Sequence, residues 1–65
     1  KDSERAAKFY KQGCENGGAK ACEGLASFTE KGLGGIKKDK RAAKRLYQKA
    51  CEAAPDLKEA CAKAR

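Results

Sequence analysis

Arg5-Ala6-Ala7-Lys8-Phe9-Tyr10-Lys11-Gln12-Gly13-Cys14-Glu15 and Ala42-Ala43-Lys44-Arg45-Leu46-Tyr47-Gln48-Lys49-Ala50-Cys51-Glu52 are the stretches on which the fold turns. Laid over one another at a shift of 37 residues, they match at Ala6 and Ala43, Tyr10 and Tyr47, Cys14 and Cys51, and Glu15 and Glu52. Phe9 answers Leu46, Lys8 answers Arg45, and upstream Asp2 answers Asp39. With two extra residues admitted around Pro55, Ala21-Cys22 also falls on Ala60-Cys61. A period in the thirties marks stacked helical pairs, because each unit is too small to bury its own apolar face alone.

Working outward, periodicity and punctuation place four helices. The first is expected from about Ser3 to Cys14, with Ala6, Phe9, Tyr10 and Gly13 at helical spacing and Asp2 as its N-cap. Asn16-Gly17-Gly18 ends it, since Asn and Gly tolerate the left-handed conformation that closes a helix. A second helix, from about Ala19 to Lys31, gathers Cys22, Leu25, Ala26 and Thr29 on one face, with Ala21 and Phe28 beside it. Gly32, Gly34 and Gly35 then make a tight turn in which Ile36 is the one anchor able to bury itself. A third helix starts at or just after Asp39 and runs to about Ala53, turning Ala43, Leu46, Tyr47, Ala50 and Cys51 inward. Pro55 stops it, and Asp56-Leu57-Lys58-Glu59 reads as a capping box opening a fourth. That helix stops at Arg65, shorter than its counterpart, as if the chain ends there or had been cut. The units span about 2–38 and 39–65 of a single module.

Composition agrees with an all-α chain. Alanine is plentiful, Val, Met and Trp are absent, and the only β-branched residues are Ile36 and Thr29. The large apolar and aromatic side chains number nine: Phe9, Tyr10, Leu25, Phe28, Leu33, Ile36, Leu46, Tyr47 and Leu57. So small a core rarely supplies more than roughly 3–5 kcal/mol, and chains of this size usually need staples or neighbours. The chain begins at Lys1 rather than Met, as expected of a processed product or a piece of a longer chain. No run is long enough to span a membrane.

Four cysteines and no histidine need an explanation. Three pairings are open in principle. Zinc sites use tighter ligand pairs or bring in His, which leaves free thiols and disulfides as the main readings. Cys14 and Cys51 end their helices, while Cys22 and Cys61 lie near the start of the next. A short turn brings such ends together, so Cys14–Cys22 and Cys51–Cys61 is the expected pairing. Each bridge would contribute about 2–3 kcal/mol by loop closure, comparable with the apolar core. Disulfides imply an oxidising compartment. A twin-cysteine helical hairpin, as in small intermembrane-space proteins, needs both cysteines of a pair on one continuous helix, and Asn16-Gly17-Gly18 and Pro55 interrupt both stretches.

Ala21-Cys22-Glu23-Gly24-Leu25-Ala26, Gly32-Leu33-Gly34-Gly35-Ile36-Lys37-Lys38-Asp39 and Ala42-Ala43-Lys44-Arg45-Leu46-Tyr47-Gln48-Lys49-Ala50-Cys51 resemble, in this order, the Sel-1-like repeat. The pattern is similar in particular to the cysteine-rich branch typified by the Helicobacter cysteine-rich proteins. Ala26 stands where that family prefers Gly, Thr29 where it prefers Tyr, and an extra glycine lengthens the Gly34-Gly35 turn. The resemblance implies an α/α superhelix of antiparallel helix-turn-helix repeats, a disulfide inside each pair, and a concave side that binds proteins or peptides. The disulfides point to a periplasmic or secreted setting, and the resemblance keeps the mitochondrial intermembrane space as a further address.

Catalytic chemistry finds no support in the residues. Some cysteine-rich relatives are described as penicillin-binding proteins or weak β-lactamases, which need a Ser-x-x-Lys pair on a helix. Here Ser3 is followed at that spacing by Ala6, and Ser27 by Glu30. The pairs Glu15 with Glu23 and Glu52 with Glu59 read as solvated faces. No catalytic residue, metal or cofactor is expected. The net charge of +7 is more informative. Lys37, Lys38, Lys40, Arg41, Lys44, Arg45 and Lys49 crowd one stretch, opposed only by Asp39. Such a face docks an acidic protein, an anionic surface or nucleic acid, or merely keeps the chain soluble. Nucleic acid is disfavoured because no aromatic residue interleaves the cluster and disulfides place the chain elsewhere. Tyr10 and Tyr47, equivalent in the repeat, pack the core or form a peptide-contacting ladder. The expected function is a non-catalytic scaffold binding another protein, a peptide or neighbouring repeats; the alternative is a cationic secreted peptide acting on anionic surfaces.

Overall fold

In the computed structural model, which describes residues 2–65, four helices follow one another: α1 (Asp2–Glu15), α2 (Ala19–Lys31), α3 (Lys40–Ala53) and α4 (Lys58–Lys63). The two bridges are Cys14–Cys22 and Cys51–Cys61, with Cα separations of 4.5 and 4.8 Å. Each joins the end of one helix to the start of the next and folds the pair back on itself. The broadest packing is α2 on α3, followed by α1 on α2 and α3 on α4, the serial contacts of a helical repeat. Cys14–Cys22 therefore staples the first pair, α1–α2, and Cys51–Cys61 the second, α3–α4.

The helix boundaries have local causes. Asp2 is the first residue of α1 rather than its cap. Asp2 and Glu4 still place negative charge on the positive end of the helix dipole. α2 stops at Gly32, whose left-handed φ of 73° lets its N–H and that of Leu33 both reach the Phe28 carbonyl, at 2.7 and 2.9 Å. Asp39 caps α3, accepting from the Ala42 N–H at 3.1 Å. Its own N–H donates to the Thr29 carbonyl at 2.9 Å, tying the start of α3 to the end of α2. α3 ends at Ala53 because Ala54, before Pro55, is pushed out of the helical region.

The capping box expected at Asp56 does not form. Leu57 occupies the N-cap position of α4, with no side-chain cap, and its N–H closes a turn onto the Ala54 carbonyl at 3.0 Å. Leu57 packs against the core, and that inward pull moves the helix start one residue past Asp56.

Small residues build the core. Ala7, Cys14, Cys22, Ala26, Ala43, Ala50 and Ala60 are buried with Tyr47 and Thr29, and Leu25, Leu46 and Leu57 pack at the edge. Thr29 satisfies its hydroxyl by donating to the Leu25 carbonyl at 2.8 Å. Among the described large apolar and aromatic side chains, Tyr47 alone is buried. Phe9, expected to face inward, is 72 % exposed. Its repeat equivalent Leu46 packs against the core from α3, which has both α2 and α4 beside it, whereas α1 packs on α2. Ile36 is partly buried, as its place in the glycine turn requires. With so little large apolar surface buried, the two bridges carry a large share of the stability.

Candidate functional site

The first turn of α3 fixes the site. With Asp39 holding the helix start, Lys40 and Lys44 stand one turn apart and face the end of α4. The Cys51–Cys61 bridge brings α4 back along α3, so that Lys63 and Arg65 lie across from them. The closing residue is Glu30, from the last turn of α2. These side chains, with Ala43, Tyr47 and Ala62, line an open cleft of about 380 Å³ between α2, α3 and α4.

Tyr47 forms its floor. The residue is only 3 % exposed, and its hydroxyl donates to Glu30 Oε1 at 3.5 Å and accepts from Lys63 Nζ at 3.5 Å. Lys63 closes the triangle with a 3.6 Å ion pair to Glu30, and its ammonium sits 5.3 Å from the centre of the Tyr47 ring. The Tyr47 hydrogen bond and charge interaction, then Glu30, raise the pKa of Lys63 above the ordinary lysine value of 10.5. A raised lysine pKa means that the charged form is present at neutral pH, and is lost only as pH climbs past that raised value. Across the helix pair, Gln48 Nε2 donates to the Ala64 carbonyl at 3.3 Å and holds the end of α4 in place.

All seven basic residues expected to form a docking face are exposed. Helical geometry divides them, however. Lys40 and Lys44 line the cleft, whereas Arg41, Arg45 and Lys49 turn to the open side of α3. Lys37 and Lys38 stay in the turn ahead of the helix. The two tyrosines differ in surroundings: Tyr10 is partly buried, edge-on to Phe28 at 5.2 Å between ring centres, while Tyr47 belongs to the polar triangle. Cys14 and Cys22 are buried, and Cys51 and Cys61 partly so.

Glu30, Lys63 and Arg65 were not singled out by the sequence. A signal for Lys63 was present. In the alignment that passes Pro55 with two extra residues, Lys63 falls on Gly24, where a side chain would meet the Tyr10 ring at 2.6 Å. A lysine in place of that glycine, next to the repeated tyrosine, marks a change of surroundings. Glu30 gives no such signal, because its partners lie 17 and 33 residues further along the chain.

Helix pairs of this size, packed in series through short turns, define a helical repeat protein. The Sel1 repeat model matches residues 1–18 and 19–55, and the chain belongs to the Sel1 repeat family. The longer match covers α2, the glycine turn and α3. No curated protein and no solved structure gives a significant match. Sel1 repeats typically mediate protein–protein interaction and are generally non-catalytic modules. The two bridges belong to an oxidising, extracytoplasmic setting. Among the described residues, no helix is long and apolar enough to cross a membrane.

Proposed function

We propose that this chain is a non-catalytic scaffold module of the cysteine-rich Sel1 branch, working in the periplasm or outside the cell, that docks an acidic protein segment on its second helix pair. The observation that carries this is the exposure of every one of Lys37, Lys38, Lys40, Arg41, Lys44, Arg45 and Lys49 beside a single acid, Asp39. A rigid, bridged helix presenting that much positive charge attracts and orients an acidic partner at long range. Units at about 2–38 and 39–65 make up the module, and Tyr47 supports a bound peptide from beneath, by holding Lys63 and Glu30 at the edge of the cleft. Tyr10 is the corresponding contact on the first unit.

An array of peptides graded in charge, probed with the oxidised chain, tests this. Enrichment of Asp- and Glu-rich peptides, lost as ionic strength rises and the Debye length shrinks below about 8 Å, supports the reading. Salt-independent binding, or no charge preference, overturns it. Equal binding to vesicles of anionic lipid without any peptide preference overturns it in favour of a cationic surface-active peptide.

A further inference from the structure

From the same basic helix we infer that the cleft between α2, α3 and α4 is a carboxylate-binding site, in which Lys40, Lys44 and Arg65 hold an acidic side chain of the docked segment over Tyr47. This rests on the scaffold reading above and narrows it from a face to a place.

Charge balance is the first ground. Four cations, Lys40, Lys44, Lys63 and Arg65, line the cleft with one acid, Glu30. Glu30 is taken by Lys63 and the Tyr47 hydroxyl, which leaves Lys40, Lys44 and Arg65 facing the opening without a counter-charge in that triangle. The partly apolar floor of Ala43, Tyr47 and Ala62 focuses their field into the cleft. An anion entering there meets cations from two directions, Lys40 and Lys44 on α3 and Arg65 just past the end of α4, whereas the open side of α3 offers those of one helix alone.

Comparison of the two units is the second ground. At the positions equivalent to Lys40, Lys44, Lys63 and Arg65, the first unit carries Ser3, Ala7, Gly24 and Ala26. There the space is closed by the glycine turn: a side-chain carbon at Gly34 would lie 2.6 Å from the Ser3 carbonyl and 2.9 Å from the Ala7 methyl. The four cations are therefore particular to the second pair, since the first carries small uncharged residues at the same register positions.

Glu30 shows what the site accepts. A carboxylate already sits at its inner edge, bonded by a hydroxyl and an ammonium. An incoming carboxylate would use the outer donors in the same way, and would feel Glu30 as a like charge. Glu30 therefore limits affinity while it holds Lys63 and Tyr47 in place.

Fluorescence anisotropy of a labelled oligoglutamate peptide, titrated with the oxidised chain at about 0.1 M salt, tests the site. The C terminus is amidated so that no added carboxylate competes beside Arg65. Replacing Lys40, Lys44 and Arg65 together by Ala should weaken binding about tenfold, the sum of three partly screened ion pairs. Replacing Arg41, Arg45 and Lys49 together removes the same charge and should change it less than about threefold. Glu30→Gln should tighten binding about twofold, a gain that misfolding cannot imitate. Equal losses in the two triple variants would overturn the cleft and leave a diffuse basic face. Absence of any binding by the parent chain would overturn the acidic-partner reading as well. Binding to phosphatidylglycerol vesicles that oligoglutamate fails to displace would overturn the cleft in favour of a lipid surface.

Discussion

Gly34 and Gly35 sit side by side in one turn, both with left-handed φ, at 63° and 78°, yet they are held by different constraints. A methyl at Gly34 would strike the Ser3 carbonyl, whereas one at Gly35 meets nothing within 4 Å. Gly35→Ala should therefore cost only the backbone strain, about 1 kcal/mol, while Gly34→Ala adds steric overlap and should cost about 2–4 kcal/mol. Urea unfolding of the two oxidised variants separates them, and equal midpoints would contradict the docking of this turn on α1. Asp39→Ala removes the one side-chain cap seen at the three helix starts with described caps and should cost about 1 kcal/mol in the same assay. At this scale the sequence was readable where one side chain decides a local matter. Asp39, Gly32 and Pro55 each end or begin a helix for reasons that need no distant partner. Asp56 was not readable in this way, because Leu57 is drawn into the core and carries the helix start with it.

Individual helices differ in what secures them. α4 has six residues, too few to persist by propensity, and is held by the Cys51–Cys61 bridge, Leu57 and the contacts of Lys63 and Gln48. Its bridge is partly exposed, whereas Cys14–Cys22 is enclosed by the core. Graded reduction should thus open Cys51–Cys61 first, and hydrogen exchange should then show α4 unprotected while α1, α2 and most of α3 remain slow. Simultaneous opening of both bridges, or earlier loss of Cys14–Cys22, would contradict this order. The 37-residue register placed each cysteine at a helix end, and the pairing followed from that placement. What the register could not supply was the side on which a helix is covered. Phe9 and Leu46 occupy the same repeat position, but α3 packs on both α2 and α4 and Leu46 lies against the core, whereas α1 packs on α2 and Phe9 is exposed. Phe9→Ser should change stability by no more than about 0.5 kcal/mol, whereas Leu46→Ala should cost about 1–3 kcal/mol. Comparable losses would mean that the face of α1 bearing Phe9 is covered as well.

For the molecule as a whole, the fold was legible because a repeat encodes its architecture twice, and two copies of Tyr, Cys and Glu in register leave few alternatives. The cleft was legible only in part. Lys40 and Lys44 stood out by charge, but Glu30, Lys63 and Arg65 join them through α2 and α4, and no local pattern links residues on three helices. The same division explains why the family defines a scaffold without defining its partner: the framework residues are common to both units, whereas Lys40, Lys44, Lys63 and Arg65 have no charged counterpart in the first. The most direct test is a two-dimensional NMR titration of the oxidised, isotopically labelled chain with an oligoglutamate peptide. If the cleft holds the carboxylate, shifts concentrate at Glu30, Lys40, Lys44, Tyr47, Lys63 and Arg65, with α1 unmoved and both helix pairs intact. Shifts centred on Arg41, Arg45 and Lys49, or spread evenly over both units, would contradict it.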